Sequence, residues 1–134
     1  MQFQVAQWPE NLKAAQAGNF MMWAVGSSAA QPDGLGALQR LYGPSSGGAN
    51  LSRFRHPAFD ALYLRLQRMS DGPEREQLFL QAKRLAVAWA PYRQHVHRIY
   101  TDMVQRWLVG YRRPFFGQRW WHLVEIDPAQ KASA

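Results

Sequence analysis

The sequence predicts an α/β protein, a small mixed sheet carrying about four helices. Three observations predict it. Residues 2–25 run from a period-2 alternation, through a helix-like stretch, to an unbroken apolar run. Two apolar stripes at helical spacing occupy residues 57–90. Apolar residues make up 47% of the 134, enough for one small core and too many for a disordered chain. No apolar run approaches the roughly 20 residues that span a bilayer.

The first strand is expected where Phe3, Val5 and Gln7 alternate with Gln2, Gln4 and Ala6. Trp8-Pro9-Glu10 then opens a helix, because proline is tolerated in the first helical turn. Trp8, Leu12 and Ala15 share its face. Gly18-Asn19 ends it, since glycine takes the left-handed C-terminal conformation without steric cost. Phe20 to Val25, bounded by Gly18 and Gly26, reads as a buried second strand. Strand, helix and strand make a βαβ unit with parallel strands and a right-handed crossover. The polar stretch from Gly26 to Asp33 is the loop leaving that strand. Ligands of open α/β sheets bind beyond the carboxyl ends of strands, so this loop is the first place to look for a site.

Leu35, Leu38 and Leu41 indicate a short helix closed by Gly43-Pro44. Ser45 to Ala49 is a flexible loop. It is not a phosphate loop, since no Gly-Lys-Ser/Thr follows. Asn50 to His56 is extended, and Pro57 opens a helix with Phe59, Leu62, Leu66 and Met69 on one stripe. Asp71 with Glu74 forms a candidate capping box for the next helix. That helix carries Leu78, Ala82, Leu85 and Trp89 and stops at Pro91. Tyr92 to Tyr100 and Met103 to Leu108 are two further strand candidates. One domain over residues 1–127 is expected, followed by a disordered tail, 128–134.

The order of these pieces resembles the C-terminal part of the family 5 extracellular solute-binding proteins, the oligopeptide- and dipeptide-type receptors of ABC importers. The resemblance spans roughly Val5 to Asp127. It rests on Gly18-Asn19-Phe20-Met21 before Trp23, on Pro32-Asp33, on Asn50 with Arg53 and Phe54, and on Pro57, Phe59 and Asp60. Asp71 and Arg75 open a long helix that ends at Ala90-Pro91, and Gly110-Tyr111 and Trp121-His122-Leu123 follow. Such a resemblance implies part of a type II periplasmic-binding-protein lobe, capture of a peptide-like or other small polar solute, and delivery to an ABC importer permease. It implies a periplasmic location, although MQFQVAQWPE has no basic stretch before an apolar one and does not read as a signal peptide. It also implies a partner, the N-terminal lobe of the same receptor, with this chain as a portion of that receptor.

Carried over residue by residue, the resemblance puts Trp23, Ala24, Val25, Gly26 and Ser27 at the ligand. Trp23 would be an apolar wall, and the backbone beyond it would bind an extended ligand strand-fashion. Asp33, Asn50 and Arg53 complete the candidate ligand-binding set. Peptide-binding members place an Asp about three residues after the Trp, for the ligand's amino terminus. Gly26 stands there in this chain, and the nearest acid is Asp33.

The remaining chemistry is sparse. No cysteine is present, which excludes disulfides and thiolate chemistry. His95 and His97 would share a strand face, but no third ligand is identifiable, so no metal site is assigned. Ser27-Ser28 lacks a Gly-x-Ser-x-Gly elbow, and neither catalysis nor a cofactor is expected. The net charge is +7, with the excess mostly arginine and without a long basic run. Arg112 to Trp121 mixes basic and aromatic residues, as single-stranded nucleic-acid platforms do. Packing of those aromatics onto the domain explains the same composition, so nucleic acid is the less favoured partner. An uncovered Phe115, Phe116 and Trp120 would instead promote self-association.

Overall fold

The computed structural model describes residues 3, 5–116 and 120–132. Helical and strand elements both occur, as the sequence predicts, but the helices dominate. The chain forms two compact units where one domain is expected. Unit 1 comprises the residues up to Ser27 together with Asp33–Gln94, and unit 2 comprises Ser28–Pro32 together with the residues from His95 onward. Hydrophobic periodicity reports which face of an element is buried, not which elements share a core.

Unit 1 is helical. Helix α1 spans Trp8–Ala17 and places Pro9 in its first turn. Gly18 ends it at φ 80°, where its amide donates to the Ala15 carbonyl at 3.1 Å and the Asn19 amide donates to Ala14 at 2.9 Å. Helix α2 spans Leu35–Gln39, and a 3-10 turn follows at Gly43–Ser45. Helix α3 spans Pro57–Leu66, with His56 as its N-cap: the imidazole Nδ1 accepts from the Phe59 amide at 3.3 Å. Helix α4 spans Pro73–Trp89. Its N-cap is Gly72, and no side chain caps it. Asp71 does not form the expected capping box and instead pairs with Arg75 at 2.9 Å, because a guanidinium one turn away offers a charged partner.

The core lies where α2, α3 and α4 meet. Leu41, Phe59, Tyr63, Leu66, Leu78 and Ala82 are buried together, with Leu35, Leu38, Leu62 and Leu85 packed against them. The α3 stripe read from the sequence is therefore the core face, joined by Tyr63, whose ring lies 4.7 Å from that of Tyr42. Trp89 departs from its expected buried position. It is mostly exposed and meets the His56 ring edge-on at 5.5 Å.

The expected βαβ unit is absent among the described residues. Residues 3 and 5–7 and Phe20 to Val25 form neither helix nor strand and belong to no sheet. Met21 and Met22 are 98% and 73% exposed, so the second segment is not a buried strand. A strand exists only through ladder partners, and an apolar run supplies none by itself. For the same reason Tyr92 to Tyr100 and Met103 to Gln105 form no strand. The sheet described is two-stranded and antiparallel, in unit 2. Strand β1 (Leu108–Val109) pairs with β2 (Glu125–Ile126) in the register Leu108 with Ile126 and Val109 with Glu125.

The C-terminal stretch is not wholly the disordered tail expected from its composition. Helix α5 spans Pro128–Ala132. Asp127 nucleates it by accepting from the amides of Ala129 at 3.0 Å and Gln130 at 3.1 Å. Residues 133 and 134 lie outside the described residues.

Candidate functional site

The eight residues singled out from the sequence all lie in unit 1, in two environments. Ala24, Val25, Gly26 and Ser27 are exposed in a segment without helix or strand, and Trp23 is half-buried. The Trp23 indole stacks on that of Trp8 from α1, with centroids 5.6 Å apart and planes inclined by 29°. Its supporting face is thus taken by another ring. Among the described residues no backbone hydrogen bond ties the amides or carbonyls of Trp23 to Gly26. The Ser27 hydroxyl accepts from Arg40 Nη1, which tethers the far end of the stretch to the end of α2. The segment is therefore held at both ends while its middle keeps free donors and acceptors.

Asp33, Asn50 and Arg53 are occupied in holding the scaffold. Asp33 Oδ1 accepts from the Leu35 amide at 2.9 Å, and Oδ2 pairs with Arg75 Nη2 at 2.8 Å. These two interactions, the Leu35 amide first, hold the Asp33 carboxyl below its ordinary pKa. Arg75 also lies over the Phe79 ring at 4.8 Å and pairs with Asp71. It thus fixes the end of the loop onto α4.

Asn50 is fully buried. Its Nδ2 donates to the carbonyls of Tyr42 at 3.1 Å and Phe54 at 2.8 Å, and its Oδ1 accepts from Ser52 Oγ at 2.9 Å. Every polar atom of the amide is used inside the fold, which leaves none directed at a ligand in this conformation. Arg53 sits at φ 55° and donates to the Gln16 carbonyl at the open end of α1, where a cation suits the helix dipole.

Unit 2 holds a second polar cluster that the sequence did not announce. Asp102 accepts from Tyr111 Oη at 2.8 Å and from Arg113 Nε at 2.6 Å, and its other oxygen accepts from Arg113 Nη2. The guanidinium lies over the Tyr100 ring at 4.9 Å. Arg113, and after it Tyr111, pulls the Asp102 carboxyl below its ordinary range. The Tyr111 hydroxyl is raised, chiefly because it donates to that carboxylate. No local signature marks partners nine and eleven residues apart. Only the i, i+4 spacing of Asp71 and Arg75 carried such a sign.

Among the described residues no three His, Cys, Asp or Glu side chains gather as a metal site. No described helix is long and apolar enough to cross a membrane. In comparisons with known proteins, the chain matches no family model, no curated protein and no solved structure.

Proposed function

We propose that the chain is a solute-binding element: part of a lobe, of the type II periplasmic-binding kind, in a two-lobed receptor that serves an ABC importer. Its ligand would be a peptide-like or other small polar molecule. One observation carries the reading. Trp23 to Gly26 is an irregular segment, exposed beyond Trp23, whose backbone groups no described residue pairs, fixed by the Trp8 stack at one end and by Arg40 at the other. Such a segment is ready to accept an extended ligand by strand addition, with the indole as its apolar flank. The order of residues from Gly18 to Leu123 supports the same reading. A permease, the other lobe and a periplasmic location follow from it, and no catalytic step does.

Hydrogen exchange on the chain, in an extract of its source cells supplemented with mixed short peptides, tests this. Binding should slow exchange at Ala24 to Ser27, and Gly26→Pro, which deletes one donor, should abolish that protection. Unchanged exchange there would remove the proposal.

A second reading, an interaction module for nucleic acid or protein, draws on a different stretch. Phe115 is 99% exposed beside Arg112, and Trp121 is largely exposed next to Trp120, with the two indoles stacked at 3.9 Å. Retention on single-stranded DNA that falls steeply with salt, and is lost in Phe115→Ala with Trp121→Ala, would favour it.

A further inference from the structure

Unit 2 contains a cleft of about 400 Å³, lined by residues 101–105, 107, 108, 111 and 120. That volume lies within the range of small-ligand sites. Three aromatic residues contribute to its wall: Trp107, Tyr111 and Trp120. Tyr111 and Trp120 meet edge-to-face at 5.0 Å, so each is held in place by the other. Among the described residues, the charged residue of the lining is Asp102. An aromatic wall with one carboxylate suits a cation, because ring faces and carboxylate oxygens both carry negative potential.

Asp102 is not exhausted by its partners. A carboxylate offers about four acceptor positions. Tyr111 and Arg113 Nε occupy two on Oδ2, and Arg113 Nη2 occupies one on Oδ1. One position on Oδ1 remains, and the side chain keeps 27% exposure through which a guest can reach it. Arg113 itself is not among the residues that line the cleft. The unit also shows the chemistry twice with its own side chains. Arg113 lies over Tyr100 while gripping Asp102, and the Lys131 ammonium stands 5.4 Å from the centre of the Trp107 ring.

We propose that this cleft binds an organic cation, an alkylguanidinium or alkylammonium group, against the side chains of Trp107, Tyr111 and Trp120, with one N–H donated to the free position of Asp102. The proposal is independent of the strand-addition site in unit 1. A guest of this kind leaves the Asp102–Arg113 pair intact. The group can belong to a free small molecule or to an Arg or Lys side chain of a peptide.

The test is a titration of the full chain with methylguanidinium and with its neutral isostere methylurea, read by tryptophan fluorescence and by chemical shifts. Saturable binding of methylguanidinium, at least about tenfold tighter than methylurea, is expected, a factor of ten being one well-placed charged hydrogen bond. Asp102→Asn should abolish the difference between the two. Because that variant also releases Arg113, a second variant keeps the cluster whole. Val104→Lys adds a cation at a half-exposed lining position and should weaken methylguanidinium about tenfold without changing the melting temperature. Equal binding of the two probes, no binding of either, or indifference to Val104→Lys overturns the proposal. The source is read from a third probe. An arginine-containing tripeptide that binds far tighter than methylguanidinium makes the cleft a side-chain pocket, and equal affinity makes it a small-molecule site.

Discussion

At the scale of single residues, buried polarity does the positioning. Asn50 closes the loop between α2 and α3 by donating to two carbonyls, that of Tyr42, which also accepts from the Ser45 amide at 3.0 Å, and that of Phe54. Asn50→Ala would leave the Phe54 carbonyl without its donor, at about 1–3 kcal/mol before relaxation, while the Tyr42 carbonyl keeps the Ser45 amide. Urea denaturation should show a loss of about 1–3 kcal/mol, and a loss under about 1 kcal/mol would mean that water replaces the amide. Asp33 carries the acid sensitivity of unit 1. Its folded pKa is depressed by the Leu35 amide and Arg75, so its contribution is complete above the unfolded value of roughly 3.9 and fades as pH falls through the folded value. Asp33→Asn should therefore lower the melting temperature near neutrality and make little difference near pH 2. A gap between wild type and variant that persists into acid would contradict this. That Asn50 and Asp33 matter was legible in the sequence. That both would be spent inside the fold was not: Arg75 lies 42 residues from Asp33, and the partners of Asn50, though only 2, 4 and 8 residues away, include two backbone carbonyls that carry no sequence signature.

At the scale of elements, the ends of helices were more legible than the strands. Pro9 and Pro57 mark two helix starts, and Gly18 marks one end. These are local signals, settled by φ preference and by missing amides. The strand candidates failed for the opposite reason: alternation describes a pleated surface but names no partner for it. Gly18 also shows a distant residue acting on a local signal. A Cβ there would fall 2.3 Å from Arg53 Nε, at a φ of 80° that L side chains rarely adopt. Gly18→Ala should cost about 1 kcal/mol for the conformation and also displace the arginine that caps α1. Arg53→Ala alone should cost less than about 1 kcal/mol. If the two act through one contact, the double variant will be less destabilised than the sum of the singles, whereas strict additivity would show that Arg53 does not cap the helix in solution.

At the scale of the whole chain, the distribution of burial decides behaviour. Every fully buried side chain among the described residues belongs to unit 1, while unit 2 exposes Ile99, Met103 and Phe115 almost completely. Exposed apolar residues are ordinary when scattered singly, but Met21 and Met22 in unit 1 add to the same excess. Each large apolar side chain moved out of water gains roughly 1.5–3 kcal/mol, so a contact between copies that covers three or four of them overcomes the entropic cost of association at high concentration. The chain alone should therefore self-associate. Light scattering during gel filtration should give the 15.4 kDa of a monomer at low concentration and a rising mass as concentration increases. Replacing Ile99, Met103 and Phe115 together by Ser should hold the mass at that of a monomer. These positions make no core contact, so the melting temperature of unit 1 should stay put. A wild-type mass that remains monomeric at high concentration would mean that the exposed residues find no common face, and the hydrophobic excess would then have no consequence for assembly.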